Sequence, residues 1–384
     1  MEQGLSDIGI IGAGPAGCCC AYFLVNNKNC SNVRITLFDY NEPLRTILPT
    51  GGGRCNLAFS EFDFKELAKN YPRGEKFLYS IFSQFSTSDT LEMFESLGIK
   101  TYTQPDGRIF PTSDNSKEVR EKFLEKLKSV KTVREKVLRI EKHEKFKVIT
   151  DMNCYYFDKI VFATGGHHGY DIVKRLGVSI IEPKPSLVGL VTEDEFKPVM
   201  GTVVHKVKNN DTGEVGDVLF THFGISGPLV YKISSIYSRK NLPYSLSFDL
   251  ADDLEDFQQI LNANPHKFIK NILSEILPAR FGEFILTDTG VSLETKAHSI
   301  DGKTRDRILD KIHNFKVVIK STQKDGETVT SGGIDLNKIN PKTMESKEVE
   351  GLYFCGEVVD IDGFCGGFNL QNCWSTAYVT AKNL

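Results

Sequence analysis

The first apolar run of the chain is short. Ile8, Gly9, Ile10 and Ile11 end at a glycine cluster, after which residues 15–26 carry helical character. Residues 33–38, Val-Arg-Ile-Thr-Leu-Phe, read as a second buried strand that stops at Asp39. Strand, glycine turn, helix and strand form the opening βαβ unit of a doubly wound α/β sheet. Two helical patterns fill 74–97, broken near Ser86 to Ser88, and 113–128 is an amphipathic helix opened by Ser, Asp and Asn. Residues 132–140 and 146–150 alternate like an antiparallel hairpin. Lys159 to Ala163 is another buried strand, and it ends at Thr164-Gly165-Gly166.

From about Pro183 the pattern changes. Strand-like stretches at 187–192, 203–208, 215–221 and 244–249 alternate with short helices, and helical segments follow at 254–262 and 265–276. Gly351 to Glu357 then returns to a short apolar strand ending in glycine and an acid, and 366–382 reads as a closing helix. The pattern predicts a discontinuous nucleotide-binding domain over 1–185 and 330–384. Between its halves lies an inserted domain at 186–329, β-rich with a helical part near 252–312.

Gly12-Ala13-Gly14-Pro15-Ala16-Gly17 fits G-x-G-x-x-G. The first glycine permits the tight turn, the second the approach of a pyrophosphate, and the third close helix packing. It follows a predicted strand and opens a helix. Asp39, 22 positions beyond Gly17, is placed to accept hydrogen bonds from ribose hydroxyls. The glycine junctions at Ala163-Thr164-Gly165 and Gly356-Glu357 also follow buried strands, and strand ends of such a sheet converge on one crevice. A ligand reached by the start, middle and end of the chain is long, which favours FAD over NAD.

Two further segments fit a flavin. In Thr50-Gly51-Gly52-Gly53-Arg54-Cys55-Asn56 the glycines permit backbone approach to a flat ring, and Arg54 offers a guanidinium fork. In Gly363-Phe364-Cys365-Gly366-Gly367-Phe368-Asn369-Leu370-Gln371 a glycine run leads into a helix. Free amides around Gly367 to Leu370 would stabilise the negative charge a flavin gains on reduction. The weak candidates for catalysis are Arg54, Cys55 and His222, although the ordinary reading of His222 is a histidine satisfied within the fold. Gly224-Ile225-Ser226-Gly227-Pro228 lacks the last glycine of a nucleophile elbow and reads as a Ser226 helix cap. His167 and His168 are adjacent and lack partners at metal spacing, so no metal site is expected.

Composition narrows the setting. The 384 residues carry 47 Lys+Arg against 50 Asp+Glu, a net charge of -3, so no nucleic acid or membrane partner is expected and a small-molecule substrate is favoured. A local basic patch can still hide inside a neutral total. Nine cysteines, Cys18, Cys19 and Cys20 consecutive and Cys30 isolated, follow no disulfide or CxxC spacing and read as reduced thiols. The uncharged stretch 8–24 lacks a basic lead and carries four glycines, so it reads as the nucleotide turn rather than a signal, and a cytoplasmic location is expected.

The motifs together resemble the BaiN/YhiN-type flavoprotein family, also labelled aminoacetone-oxidase-like. The resemblance rests on IIGAGPAG, TGGGRCN, DGRIFPTS, ATGG, LFTHFGISGP, TSGGI and the block from Lys342 to Trp374. It implies a Rossmann-like FAD-binding domain of the two-dinucleotide-binding-domain flavoprotein type, with the insertion a family feature. It also implies FAD contacts at Asp39, Arg54, Cys55, Ala163, Glu357, Asn369 and Leu370, with Val137 touching adenine through its backbone. The chain departs from the pattern at Ala58-Phe59, at the short loop His167-His168-Gly169-Tyr170, and at Ala377 where a glycine is usual. The expected function is hydride transfer between flavin and a small organic substrate, such as a steroid-like enone or an amine. NAD(P)H would then be a transient electron donor, since no second G-x-G-x-x-G occurs in the insertion. An FAD-dependent RNA-modifying protein and a flavoprotein with structural FAD are the alternatives.

Overall fold

The computed structural model describes residues 6–26, 33–252, 254, 256–324 and 329–384. Cys30 lies outside the described residues. The chain divides into two compact units, Met1–Lys184 with Val329–Leu384, and Pro185–Thr328.

The first unit is built on a five-stranded parallel sheet, in the order Leu352–Phe354, Lys159–Phe162, Ser6–Ile11, Val33–Phe38 and Lys131–Val133. Its inner strands are buried on both faces at their C-terminal ends, as their apolar runs require, while the edge strand Lys131–Val133 exposes Lys131 and Thr132. Register aligns the strand ends: Ile11 lies opposite both Phe38 and Phe162, and Phe162 opposite Phe354. Gly12, Asp39, Ala163 and Cys355 therefore leave the sheet along one edge. The helix Pro15–Asn26 starts with proline at its first position and packs along the closing helix Phe368–Lys382. Cys18, Cys19, Cys20, Ala377 and Ala381 are all buried in the same cluster, and their small side chains let the two helices approach closely.

Residues 132–140 do not form one hairpin strand. Lys131–Val133 joins the parallel sheet beside Val33–Phe38, and a separate strand, Val137–Lys142, pairs with Phe146–Thr150, which pairs with Cys154–Phe157. The run alternates throughout, so periodicity gave no sign of the break at Arg134 to Lys136.

The second unit contains a closed antiparallel barrel. Its strands run in the order Leu190–Thr192, Gly224–Ser226, Val215–Phe220, Val203–Asn209, Tyr244–Asp249 and Phe315–Thr322. Val204, Val218, Phe220, Leu246, Phe248, Val317 and Ile319 fill its core. The strand Phe315–Thr322, which the sequence pattern did not single out, closes the barrel by pairing with both Tyr244–Asp249 and Leu190–Thr192. Helices Phe257–Ala263, Ile269–Leu273, Ala279–Asp288 and Gly302–His313 make the helical part. The helix expected over 265–276 shortens to Ile269–Leu273. The strand expected from Leu187 starts at Leu190, because Leu187 adopts a left-handed φ of 52°. Ser226 does not cap the next helix: Gly227, at φ 100°, precedes Pro228–Ile236 without a side-chain cap, and the Ser226 hydroxyl lies 3.3 Å from that of Tyr231.

Candidate functional site

The edge where four strands end is shaped by the glycine turn. A Cβ on Gly12 would lie 2.3 Å from the Ala163 carbonyl oxygen, and one on Gly17 would lie 1.9 Å from the Gly12 carbonyl oxygen, so neither position admits a side chain. Gly14 differs. A Cβ there would meet nothing nearer than Thr46 Oγ1 at 3.9 Å, leaving open space beside the turn. The Asp39 carboxylate fastens this turn by accepting from the Ala13 amide at 2.9 Å and the Asn41 amide at 2.8 Å. Each of its oxygens has one such bond and keeps capacity for another donor. Pro15 opens the helix and Ala16 is buried. Ala163 donates its amide to the Ile11 carbonyl, and Thr164 donates its hydroxyl to the His168 carbonyl. Gly165 borders empty space.

The loop at 50–56 is firmly held. Arg54 lies with its guanidinium carbon 4.1 Å above the Phe110 ring, and its Nε donates to the Gly51 carbonyl at 3.2 Å. The guanidinium also stands 3.9 Å from Asp114, so Arg54 braces the loop with a third of its side chain exposed. Gly52 opens onto empty space, and Gly53 has only the Leu48 carbonyl nearby at 4.0 Å. Cys55 overturns its candidacy for catalysis. Its side chain is fully buried in the core, and burial pushes its thiol up to about 12, so it is never a thiolate at neutral pH. Asn56 is nearly buried, and its Oδ1 has no hydrogen-bond partner among the described residues. An acceptor in that state calls for a donor from a bound group.

At the C-terminal end, Gly356 lies against the first helix, its would-be Cβ 2.5 Å from that of Ala16, and its amide donates to Thr376 Oγ1 at 2.9 Å. Glu357 accepts from the Thr330 amide at 2.8 Å. Gly367 stands at φ 100°, and a Cβ there would collide with the Ala58 carbonyl at 2.6 Å. Asn369 and Phe368 act through shape rather than by reaching outward. The Asn369 amide side chain both accepts from the Gly363 amide and donates to its carbonyl, each at 2.8 Å, closing the loop before the helix. Phe368 is buried against Phe59 and Tyr71. Leu370 is partly buried against the sheet-and-helix core.

A clamp that the sequence did not reveal holds this loop. The Tyr71 hydroxyl donates to the Phe368 carbonyl at 2.6 Å, the Phe364 amide donates to the Asn70 carbonyl at 3.0 Å, and Arg73 makes a bidentate ion pair with Asp362. The Asp362 side chain is wholly buried. No motif marks these residues, because Arg73 and Asp362 are 289 positions apart.

Two residues stand elsewhere. Val137 opens the hairpin strand and packs partly buried against the cluster that includes Phe38. His222 lies in the second unit, at the tip between Val215–Phe220 and Gly224–Ser226. It is exposed, edge-on to Phe223 at 5.2 Å, and has no hydrogen bond among the described residues, so it is not a satisfied structural histidine. Among the described residues no group of three or more His, Cys, Asp or Glu is set for a metal ion, and no helix is long and apolar enough to cross a membrane.

The family model described as HI0933-like protein Rossmann domain matches residues 6–383. The chain belongs to that family. Within it stand relatives that this chain resembles along almost their full length. A ribosomal RNA dihydrouridine synthase of Haemophilus influenzae is 29% identical, covering 98% of this chain and 97% of its own. One of Escherichia coli is also 29% identical, with the same coverage. A 3-dehydro-bile acid delta(4,6)-reductase of Clostridium scindens is 26% identical, covering 98% of each chain. As a member of the family the protein is an FAD-binding enzyme of the oxidoreductase class with a Rossmann-like fold. The residues present fit that cofactor: open room beside Gly14, Gly52 and Gly165, the orphaned Asn56 Oδ1, and a carboxylate at the second strand end.

Proposed function

We propose that this protein is an FAD-dependent reductase that saturates a carbon-carbon double bond conjugated to a carbonyl. The observation that carries the reading is the chemistry shared by the relatives, on an edge shaped for FAD. Dihydrouridine is uridine with its ring double bond saturated beside a carbonyl, and a delta(4,6)-reductase saturates double bonds conjugated to a 3-keto group. In a reduction of this kind a hydride adds to the carbon β to the carbonyl, or to the δ carbon of an extended dienone, and a proton adds to the carbon next to it on the carbonyl side.

FAD, when bound, would supply the hydride-transfer chemistry, with a reduced nicotinamide as its transient electron donor. The residues of this chain position and tune. Asp39 holds the ribose hydroxyls, and the open side of Gly14 admits the pyrophosphate at a helix N-terminus. The amides from Gly367 to Leu370, at the start of the closing helix, would stabilise the negative charge that a bound flavin gains on reduction. Val137, Gly53, Arg54, Ala163, Thr164, Gly165, Gly356 and Glu357 complete the cofactor contacts through backbone or by bracing the loops. His222, exposed and with no hydrogen bond among the described residues, is the candidate proton donor.

Two substrates fit this chemistry: a free enone, and a uracil base within ribosomal RNA. The overall charge favours the first, while the two synthase relatives favour the second. Anaerobic reduction of the holoprotein by NADH or NADPH, followed by a cyclic enone or by ribosomal RNA from cells lacking the gene, tests the reading. Reoxidation of the flavin coupled to a saturated product supports it. A flavin that accepts electrons but passes them only to oxygen would sink it.

A further inference from the structure

The near-neutral total hides a marked asymmetry. Residues 117–147 carry 12 Lys+Arg against 6 Asp+Glu, whereas the insertion 185–328 carries 17 against 20. This basic segment forms the helix Ser116–Lys126, the edge strand Lys131–Val133 and the first two strands of the hairpin sheet, all in the first unit. Lys126, Lys128, Arg134, Lys136 and Lys142 are exposed with no ion-pair partner among the described residues. The helix packs in the cluster of Pro15–Asn26 and the hairpin sheet in a separate cluster with Phe38. The cations that share the hairpin side are therefore Arg134, Lys136 and Lys142, and unpaired cations of one sign attract a polyanion.

The structure gives this surface a concavity. A cleft of about 410 Å³ lies between the strand Val137–Lys142 and the residues after the helix Tyr170–Lys174, lined by Arg139, Lys142, His143 and Arg175. Among the lining residues one is a carboxylate, Glu141, 3.0 Å from Arg139 and 3.7 Å from His143. Lys142 lies over the Phe146 ring at 4.0 Å and within the field of Asp158, and the lining still carries more cations than carboxylates. Across the same sheet Glu141, Lys147 and Tyr156 stand in register, and Tyr156 is 60% exposed. Arg139 shares with Tyr156 the face marked by Glu141 and Lys147, while Lys142 lies over Phe146 on the other. Cations with an exposed ring on the same sheet match the chemistry of an RNA strand: phosphates for the cations, a base for the ring.

We propose that this face of the first unit docks the phosphodiester backbone of an RNA. The proposal rests on the RNA-substrate reading above and names the surface that would hold that substrate. The two can fail separately, because docking is read by binding and reduction by flavin reoxidation.

The test uses the FAD-loaded protein and a fluorescein-labelled transcript of a ribosomal RNA domain, titrated by fluorescence anisotropy between about 50 and 200 mM salt. The wild type is expected to bind with an affinity that falls steeply with salt. Lys136→Glu with Lys142→Glu and Arg175→Glu is expected to weaken binding at least tenfold. It should also make the log-log salt slope shallower by about 2, at roughly 0.7 to 0.9 for each phosphate left without its cation. Lys316→Glu with Lys320→Glu, exposed on the barrel strand Phe315–Thr322, should leave both unchanged. Unchanged flavin absorbance and thermal midpoint verify that each variant is folded. The proposal is overturned if the wild type does not retain RNA, if the triple variant binds as the wild type does, or if vesicles of anionic phospholipid or free nucleotide are bound in place of RNA. Absence of RNA docking with intact reduction of a free enone would refute this surface and leave the reductase reading standing.

Discussion

Replacing Arg73 by methionine probes how the loop before the closing helix is held. The substitution keeps most of the side chain's length and removes its charge, leaving the Asp362 carboxylate buried without the guanidinium. The Asp362 side chain is wholly buried and that of Arg73 is 12% exposed, so water offers little replacement solvation. Breaking a buried pair from one side costs about 3–5 kcal/mol. In a domain of this size each kcal/mol shifts the thermal midpoint by roughly 2–4 °C, so the expected drop is about 6–20 °C. Removing both charges with Arg73→Met and Asp362→Leu should recover most of it, because an apolar pair of similar volume stabilises as well as a buried ion pair. Thermal unfolding followed by circular dichroism, with flavin fluorescence recorded alongside, reads both the fold and cofactor release. A midpoint within about 2 °C of the wild type for Arg73→Met alone would refute the reasoning, since the buried carboxylate would then have a solvent route.

Gly367→Ala places a Cβ against the Ala58 carbonyl at a left-handed φ, and FAD affinity is expected to fall at least tenfold in a fluorescence titration while the far-ultraviolet spectrum is kept. Asp39→Ala should lower FAD affinity by a similar factor, as it removes both the ribose acceptor and the bond to the Ala13 amide. The Cys55 thiol is raised in the folded state, so its contribution to stability is complete below the unfolded value near 9 and is lost as pH climbs toward 12. Cys55→Ala should therefore reduce the loss of urea stability between about pH 8 and 10 by ~1.4 kcal/mol, and native Cys55 should resist iodoacetamide while exposed Cys154 reacts. His222→Asn should lower turnover with substrate roughly 10²-fold while leaving flavin reduction by nicotinamide unchanged.

The glycine turn and the strands around it were legible because each is a local pattern with a local cause. Gly12, Gly14 and Gly17 keep separate roles, and the acid at the second strand end lies where the spacing put it. What stayed illegible depends on partners distant in sequence. Lys131–Val133 alternates like a hairpin strand, yet its neighbour is Val33–Phe38 in the parallel sheet. The strand Phe315–Thr322 finds its place only by closing the barrel. Side-chain direction was equally hidden: the loop at 50–56 was recognised, but not that its cysteine turns into the core while Asn56 keeps a free acceptor. Asn369 is another such case, since the residue was found but its side chain is spent on Gly363.

The most direct test of the account is an anaerobic half-reaction. The purified protein should be yellow, and its flavin should be bleached by NADH or NADPH in a stopped-flow instrument. The colour should then return under argon when a carbonyl-conjugated alkene is added, with one equivalent of saturated product per flavin. A colourless protein that cannot be reconstituted with FAD, or a reduced flavin that no such alkene reoxidises, would contradict it.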